Sequence, residues 1–337
     1  MVKEKLFIVG VPGTIGGAST KIRHLLVLLR DVYDITVVML DQTWLKNKDI
    51  QRFCQKQGAS VSLLKHLPSR CSGTALVVCE PDVFITGGAA AIKRRGLKLV
   101  FSNDMMWEFK GEASAASSGL IDRVIFVSEF QQAAFDATYT GVQRRVVGNY
   151  IDPVDFPFSE RRNPVFTIGR LSRPDQTKYP EDFPVFYEEL GIADVRFRVM
   201  AWGEELRRRY KWHRFGPEWE LLGPQKETAA RFLQSLDLFL YPLGHHVKES
   251  WGRSTAEAML TGCVPLVPSG HQFHRLMVHG DSGFICSSFS EYRDTVQELY
   301  ENQPFRRRIG RRSAEHAREE LFNAERHRQT WIEALTF

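Results

Sequence analysis

The chain has little of what marks several large protein classes. Its 337 residues include five cysteines, Cys54, Cys71, Cys79, Cys263 and Cys286, scattered and without a Cys-x-x-Cys pair. That number and spacing exclude a disulfide frame and predict reduced thiols in a cytoplasmic protein. No apolar run approaches the roughly 20 residues that a membrane span needs. The short run in "KLFIVGV" breaks at Pro12-Gly13, so it reads as a first β-strand and not as a secretory leader. There is no Asp-x-Asp pair, and the histidines His245, His246, His271, His274 and His279 have no cysteine partners at ligand spacing, so no metal site is expected. Internal repeats and low-complexity tracts are also missing.

What is present is ordinary for a globular chain of one large or two medium domains, with 43% hydrophobic and 25% charged residues. The net charge of +5 is uneven: residues 1–150 hold 19 Lys+Arg against 13 Asp+Glu, and residues 151–337 hold 26 against 27. The basic excess therefore lies in the first half, where it suits either an anionic substrate or surface, or a solvated face. The basic runs "RRRYKWHRF" and "RRRIGRR" read as solvated helix faces, with nucleic-acid contact as the rival reading.

Short apolar runs alternate with helical patterns. "KLFIVGV", "YDITVVML", "VFITGG", "LKLVFSND" and "RVIFVS" read as strands, and "GGASTKIRHLLVLLRD" as a helix with Ile22, Leu25, Leu26 and Leu29 on one face. After the Pro-rich segment "GNYIDPVDFPFSERRNP" the alternation restarts, which predicts a boundary near residues 150–163. Such alternation predicts parallel sheets covered by helices. Two facing α/β units imply a cleft, with ligands at the carboxyl ends of the strands.

Three stretches carry chemistry. "GVPGTIGGASTK" follows a strand and opens a helix. Gly16 and Gly17 lack Cβ, and the helix start offers free N–H groups to an anion. A plain tight turn is the rival reading. A dinucleotide fold with Asp41 as ribose acid is a second rival, but the glycine spacing departs from Gly-x-Gly-x-x-Gly and the chain has no Tyr-x-x-x-Lys pair. "TIGRLSRPDQTKYPED" places Arg170 and Lys178 after a strand end, a natural clamp for a diphosphate. "KESWGRSTAEAMLTGCVPLVPSG" sets Glu249 and Glu257 eight positions apart around a Gly/Ser/Thr turn. Ser254 or Thr255 is expected as N-cap, and Ser254-x-x-Glu257 has capping-box form. A cap explains Glu257 but not Glu249. Carboxylates in a dry site suit the vicinal hydroxyls of a sugar or ribose.

Taken together these stretches resemble family-4 glycosyltransferases (GT4), retaining, nucleotide-sugar-dependent enzymes of the GT-B fold. The resemblance runs through Gly16-Gly17, "DRVIFVSEF", "GNYID", "IGRLSRPDQTK" and "ESWGRSTAEAMLTGCVPLV", in that order over nearly the whole chain. It implies two Rossmann-like α/β domains facing each other across a cleft, with C-terminal helices. The expected division is 1–155 (acceptor side), 156–310 (donor side) and 311–337, the last packing back on the first domain. It implies that Arg170 and Lys178 hold the donor diphosphate, Glu249 the transferred sugar and Glu257 the ribose. Gly16, Gly17 and the segment Ser250, Trp251, Gly252, Arg253 and Ser254 would approach sugar and phosphate. The nucleoside-diphosphate sugar would be a co-substrate, with no resident cofactor.

The sequence also departs from that pattern. Many members carry a His-Asp pair near the reacting carbon; here "FSNDMMWEF" puts Asn103 in place of the histidine and keeps Asp104. Asn103 and Asp104, with Glu249, are the catalytic candidates, although asparagine cannot titrate. The expected acceptor is of open identity, a glycolipid, polysaccharide, small molecule or modified nucleic acid, docked near Asp104, Met105, Met106, Trp107 and Phe109. The expected location is cytoplasmic, or peripheral at a membrane. Rival functions are a GT-B-fold sugar-nucleotide epimerase, an NAD(P) oxidoreductase and a non-catalytic nucleotide-sugar-binding module.

Overall fold

A computed structural model of the chain describes residues 3–14, 16–161, 163–224 and 226–337. Its contacts divide it into two units, Met1–Asp152 with Ala324–Phe337, and Pro153–Asn323. The breaks fall at 152/153 and 323/324, where the sequence reading puts 155/156 and 310/311.

Among the described residues the first unit has a seven-stranded sheet: β1 (Glu4–Val9), β2 (Tyr33–Met39), β3 (Ser60–Leu63), β4 (Thr74–Val78), β5 (Lys98–Ser102), β6 (Arg123–Phe126) and β7 (Gln143–Val146). The spatial order is β3-β2-β1-β4-β5-β6-β7, and every pairing is parallel. A parallel sheet is covered on both faces, so its central strands are continuous apolar runs; Leu6 to Val9 are all buried. The helix Gly17–Leu29 buries Ile22, Leu25, Leu26, Leu28 and Leu29, the apolar face visible in the sequence, together with Lys21 and His24.

The second unit repeats the plan with β8 (Phe166–Leu171), β9 (Val195–Met200), β10 (Trp219–Leu222), β11 (Leu238–Leu240), β12 (Val264–Pro268) and β13 (Phe284–Cys286). Their order is β10-β9-β8-β11-β12-β13, again all parallel. Each unit has its own apolar core, one around Val9, Val77 and Phe101, the other around Ile168, Tyr187 and Leu240. In both sheets the winding reverses once, between β1 and β4 and between β8 and β11. The loops that leave these strands at their carboxyl ends diverge there and open a crevice in each sheet.

One local expectation changes. "VFITGG" is not a strand: Asp82–Ile85 is a short helix, and Gly87, at φ 76°, begins another, Gly88–Arg94. The strand is "TALVV" upstream, whose Ala75, Leu76, Val77 and Val78 are buried. A three-residue apolar run has too little length for its period to tell strand from helix. At the other end, the basic run "RRRIGRR" lies on the helix Gln303–His316, which then widens into a π turn, Ala317–Leu321. The last helix, Ala324–Leu335, belongs to the first unit, where Trp331 is fully buried and Arg123 Nη1 donates to the carbonyls of Ala334 and Thr336 at 2.6 and 2.7 Å.

Candidate active site

The crevice of the second sheet collects most of the residues that the sequence singles out. Gly169, inside β8, is required by close packing: a Cβ there would lie 2.5 Å from the Arg198 carbonyl oxygen and from a methyl of Leu236. Arg170 follows and is fully buried. Its guanidinium lies between the rings of Tyr179 and Tyr241, 4.0 and 4.4 Å from their centroids. It donates to the carbonyls of Pro242 and of Lys178, the latter at 2.7 Å. Stacking on π faces and hydrogen bonding to carbonyls offset the cost of burying a cation. The expectation of an Arg170 fork open to a diphosphate thus meets a different geometry: the fork joins the loop after β8 to the loop after β11.

Lys178 closes a short turn, Gln176–Lys178, that Asp175 caps through Thr177 N at 3.0 Å. Its ammonium lies 2.9 Å from Glu249 Oε2, which also accepts from the Tyr241 hydroxyl at 3.1 Å. The Glu249 amide donates to His271 Nδ1 at 3.3 Å. Burial pushes the Glu249 carboxyl up, but Lys178 and Tyr241 outweigh it and hold the group below its ordinary value. For Lys178 burial opposes the charge, and Tyr241 and Glu249 reverse the balance, so the lysine stays protonated well above its usual range. Burial raises the Tyr241 phenol to about 12 and lowers His271. The pair is therefore charged, and His271 is neutral, as an Nδ1 acceptor must be.

The helix Arg253–Thr261 starts at Gly252, which has φ 93° and provides no side-chain cap. This corrects the expected Ser254 or Thr255 N-cap: both lie inside the first turn. A Cβ on Gly252 would sit 2.6 Å from Phe273 Cε1, so only glycine fits. Glu257 is buried and pairs with Arg253 Nε at 2.8 Å on the same helix, which replaces the expected capping box. Burial raises the Glu257 carboxyl, Arg253 opposes that, and Asp155 adds to it. Ser250 and Trp251 are buried, with the Trp251 ring edge-on to Phe322 at 6.1 Å. The structure brings Arg170, Lys178 and Glu249 into one cluster and puts Glu257 with Arg253 at the helix start. His245 and His246 are exposed on the loop. Among the described residues no three His, Cys, Asp or Glu form a group that could hold a metal.

In the first unit Gly16, at φ 86°, precedes the helix that begins at Gly17, and a Cβ on Gly16 would meet nothing within 4 Å. Asp104 lies at the carboxyl end of β5. Its Oδ1 is 2.7 Å from the ammonium of Lys21, a buried lysine that also donates to Ser102 Oγ at 2.9 Å and lies 5.5 Å from the Trp331 ring. Asn103, the second catalytic candidate at this strand end, precedes Asp104. It is fully buried and faces inward: its amide donates to Glu112 Oε1 at 3.0 Å and to the Trp107 carbonyl at 3.3 Å, and its oxygen accepts from Met105 N at 2.8 Å. Glu112, whose carboxyl burial raises, also accepts from Phe109 N at 2.8 Å and from Tyr139. These bonds fold the 103–109 loop, and Trp107 stands out of it, 51% exposed.

Sequence reasoning missed Tyr241, Lys21 and Glu112, and weighed His271 only as a metal ligand. Only Tyr241 had a local signal, an aromatic residue directly after a strand end in "LDLFLYPLG".

Residues 162–302 match the family described as "Glycosyl transferases group 1". The match is confined to this segment, less than half of the chain. It spans Arg170, Lys178, Glu249 and Glu257. Solved structures extend the likeness to the whole chain. HepE from Anabaena, solved with UDP and glucose, has a TM-score of 0.76 at 16% identity and covers 98% of this chain and 99% of its own. TarM gives 0.76 at 11% identity, covering 99% of each chain, and sucrose-phosphate synthase from Thermosynechococcus elongatus 0.71 at 12%, covering 98% of each. These neighbours identify the fold of this glycosyltransferase as GT-B. A search of curated proteins finds no match.

Proposed function

We propose that the protein is a retaining glycosyltransferase of the GT4 type that takes a sugar from a nucleoside-diphosphate donor and passes it to an acceptor hydroxyl without a metal. The observation that carries this reading is the charged cluster Lys178–Glu249, next to an uncapped helix start at Gly252, in the crevice between β8 and β11. The N–H groups of the first turn and the positive end of the helix favour a phosphate there. Lys178 adds a point charge for the leaving diphosphate, and Arg170 holds the two loops in register around it. Glu249 would accept from hydroxyls of the transferred sugar, and Glu257 from those of the ribose. HepE has been solved with UDP-glucose, which supports a donor of this class.

In the proposed step the bond from the anomeric carbon to the diphosphate oxygen breaks. The acceptor oxygen bonds to that carbon on the same face, and its proton passes to a phosphate oxygen. Charge develops on the leaving diphosphate, and Lys178 and the helix-start amides would stabilise it. The acceptor would dock on the first unit, at the 103–109 loop with Asp104 and Trp107. No helix among the described residues is long and apolar enough to cross a membrane.

The reading is tested by a thermal-shift screen of UDP-, GDP- and ADP-sugars in EDTA, because a ligand that binds the folded state raises Tm. One nucleotide series should raise Tm and the others should not. A chain that no nucleoside diphosphate or its sugar stabilises is not a transferase of this kind.

A further inference from the structure

We propose that Tyr241 is a positioning residue for donor-sugar selection: its hydroxyl fixes the rotation of the Glu249 carboxylate, while its ring locks Arg170 between the two loops. The inference rests on the reading of Glu249 as the sugar-binding group. Tyr241 is 2% exposed and directly follows β11. Its ring packs on Phe239 at 5.4 Å and edge-on to Phe273 at 6.2 Å, so it cannot swing away. The Arg170 guanidinium lies over the same ring, 4.4 Å from its centroid. From that fixed seat the hydroxyl reaches Glu249 Oε2 at 3.1 Å, the same oxygen that Lys178 holds at 2.9 Å.

Two donors converging on one oxygen define the carboxylate plane. Among the described residues Oε1 accepts no hydrogen bond, so the arrangement presents that oxygen to a ligand hydroxyl. Lysine alone would not do this, because an ammonium on a four-carbon stem is a point charge with rotating donors. The phenol adds the direction. A sugar whose hydroxyl meets Oε1 gains a charge-assisted hydrogen bond, and an epimer with that hydroxyl reversed does not.

The test uses Tyr241→Phe, which keeps the ring and the Arg170 stack and removes one oxygen, beside Glu249→Gln. Calorimetry compares wild type and both variants with the nucleoside diphosphate and with a pair of nucleotide sugars differing at one hydroxyl, UDP-glucose and UDP-galactose or their counterparts in the nucleotide series that binds. In Tyr241→Phe, Tm and the diphosphate Kd should be unchanged, while the preferred sugar nucleotide binds about tenfold more weakly, the loss of one hydrogen bond to a charged group. The preference between the two epimers should shrink with it. The acid limb of sugar-nucleotide binding should move to higher pH, since Glu249 loses a donor that holds its carboxyl down.

Unchanged epimer preference and pH limb in Tyr241→Phe, with both altered in Glu249→Gln, overturns the role of Tyr241 and leaves Glu249 standing. Sugar-nucleotide binding unaffected in Glu249→Gln overturns both. A lowered Tm with weakened diphosphate binding in Tyr241→Phe makes the residue a general support of the loops and also overturns the proposal.

Discussion

Buried charge is the recurrent device at the scale of single residues, and its partners decide what each group does. Among the described residues Arg170 has no carboxylate beside it; two tyrosine rings and two backbone carbonyls hold it. Arg170→Ala should therefore act first on stability, leaving the Pro242 and Lys178 carbonyls without their charged donor at a cost of about 3 kcal/mol or more. Lys178→Met should lower Tm less, because Tyr241 still holds Glu249, yet weaken nucleoside-diphosphate binding by about tenfold to a hundredfold, the range for one hydrogen bond to a charged group. Thermal melts and calorimetry on the same two proteins separate the effects; equal Tm losses would show that both residues are structural. The carboxylates also differ in sign. Glu249 lies below its ordinary value, so its contribution to stability is present above that value and is lost as the pH falls. Glu257 lies above it, so the ligand-free protein loses stability as the pH rises through the range between its unfolded and folded values. Glu257→Gln should flatten that part of the Tm-against-pH curve. An unchanged curve would mean that Glu257 ionises freely in the folded state.

At the scale of elements, the two helix starts differ in how much freedom their glycines have. Gly252 combines φ 93° with an aromatic carbon 2.6 Å from any added Cβ, whereas Gly16 has φ 86° and open space. Gly16→Ala should cost only the left-handed backbone penalty, about 1–2 kcal/mol. Gly252→Ala should cost clearly more and should also weaken diphosphate binding, since Phe273 or the helix start must move. Urea melts of the two variants give the order directly, and equal costs would mean that the Phe273 contact relaxes without strain. These loops were legible in the sequence because glycines at strand ends, a cation pair and the two spaced glutamates are local signals. The Tyr241–Glu249–Lys178 triangle was not, because it exists only where loops some 70 residues apart meet. Asn103 shows the converse: its position next to Asp104 was readable, but the inward turn depends on Glu112 and Tyr139, which later elements bring up from the interior. The Ser254 cap failed for a similar reason: Phe273 requires glycine at 252, and the helix starts two to three residues earlier than the hydroxyls suggest.

At the scale of the whole molecule, β/α alternation and its restart after a Pro-rich segment made two parallel-sheet units legible, since strand and helix periods are local. The strand order was not, because it depends on which surfaces remain uncovered once the sheets form; the return of the chain's last segment to the first unit was expected only through the family resemblance, over 311–337, and the segment that returns is Ala324–Phe337. That return carries weight. Trp331→Ala removes a fully buried side chain that covers Lys21, and should cost about 3–5 kcal/mol. Hydrogen exchange should show the loss in β1, β5 and the helix Gly17–Leu29, with the sheet β8–β13 keeping its protection; uniform loss in both sheets would contradict the division at Asp152 and Asn323. The central claim is that the second unit grips a nucleoside-diphosphate sugar from its two ends, Glu257 at the ribose and Glu249 at the sugar. The most direct test is calorimetry of the nucleoside diphosphate alone, in EDTA, with wild type, Glu257→Ala and Glu249→Ala. Wild type and Glu249→Ala should bind it alike, and Glu257→Ala should bind it about tenfold or more weakly, the loss of hydrogen bonds to one carboxylate. Wild-type affinity in Glu257→Ala, or binding that disappears in EDTA and returns with Mn²⁺, would contradict the account.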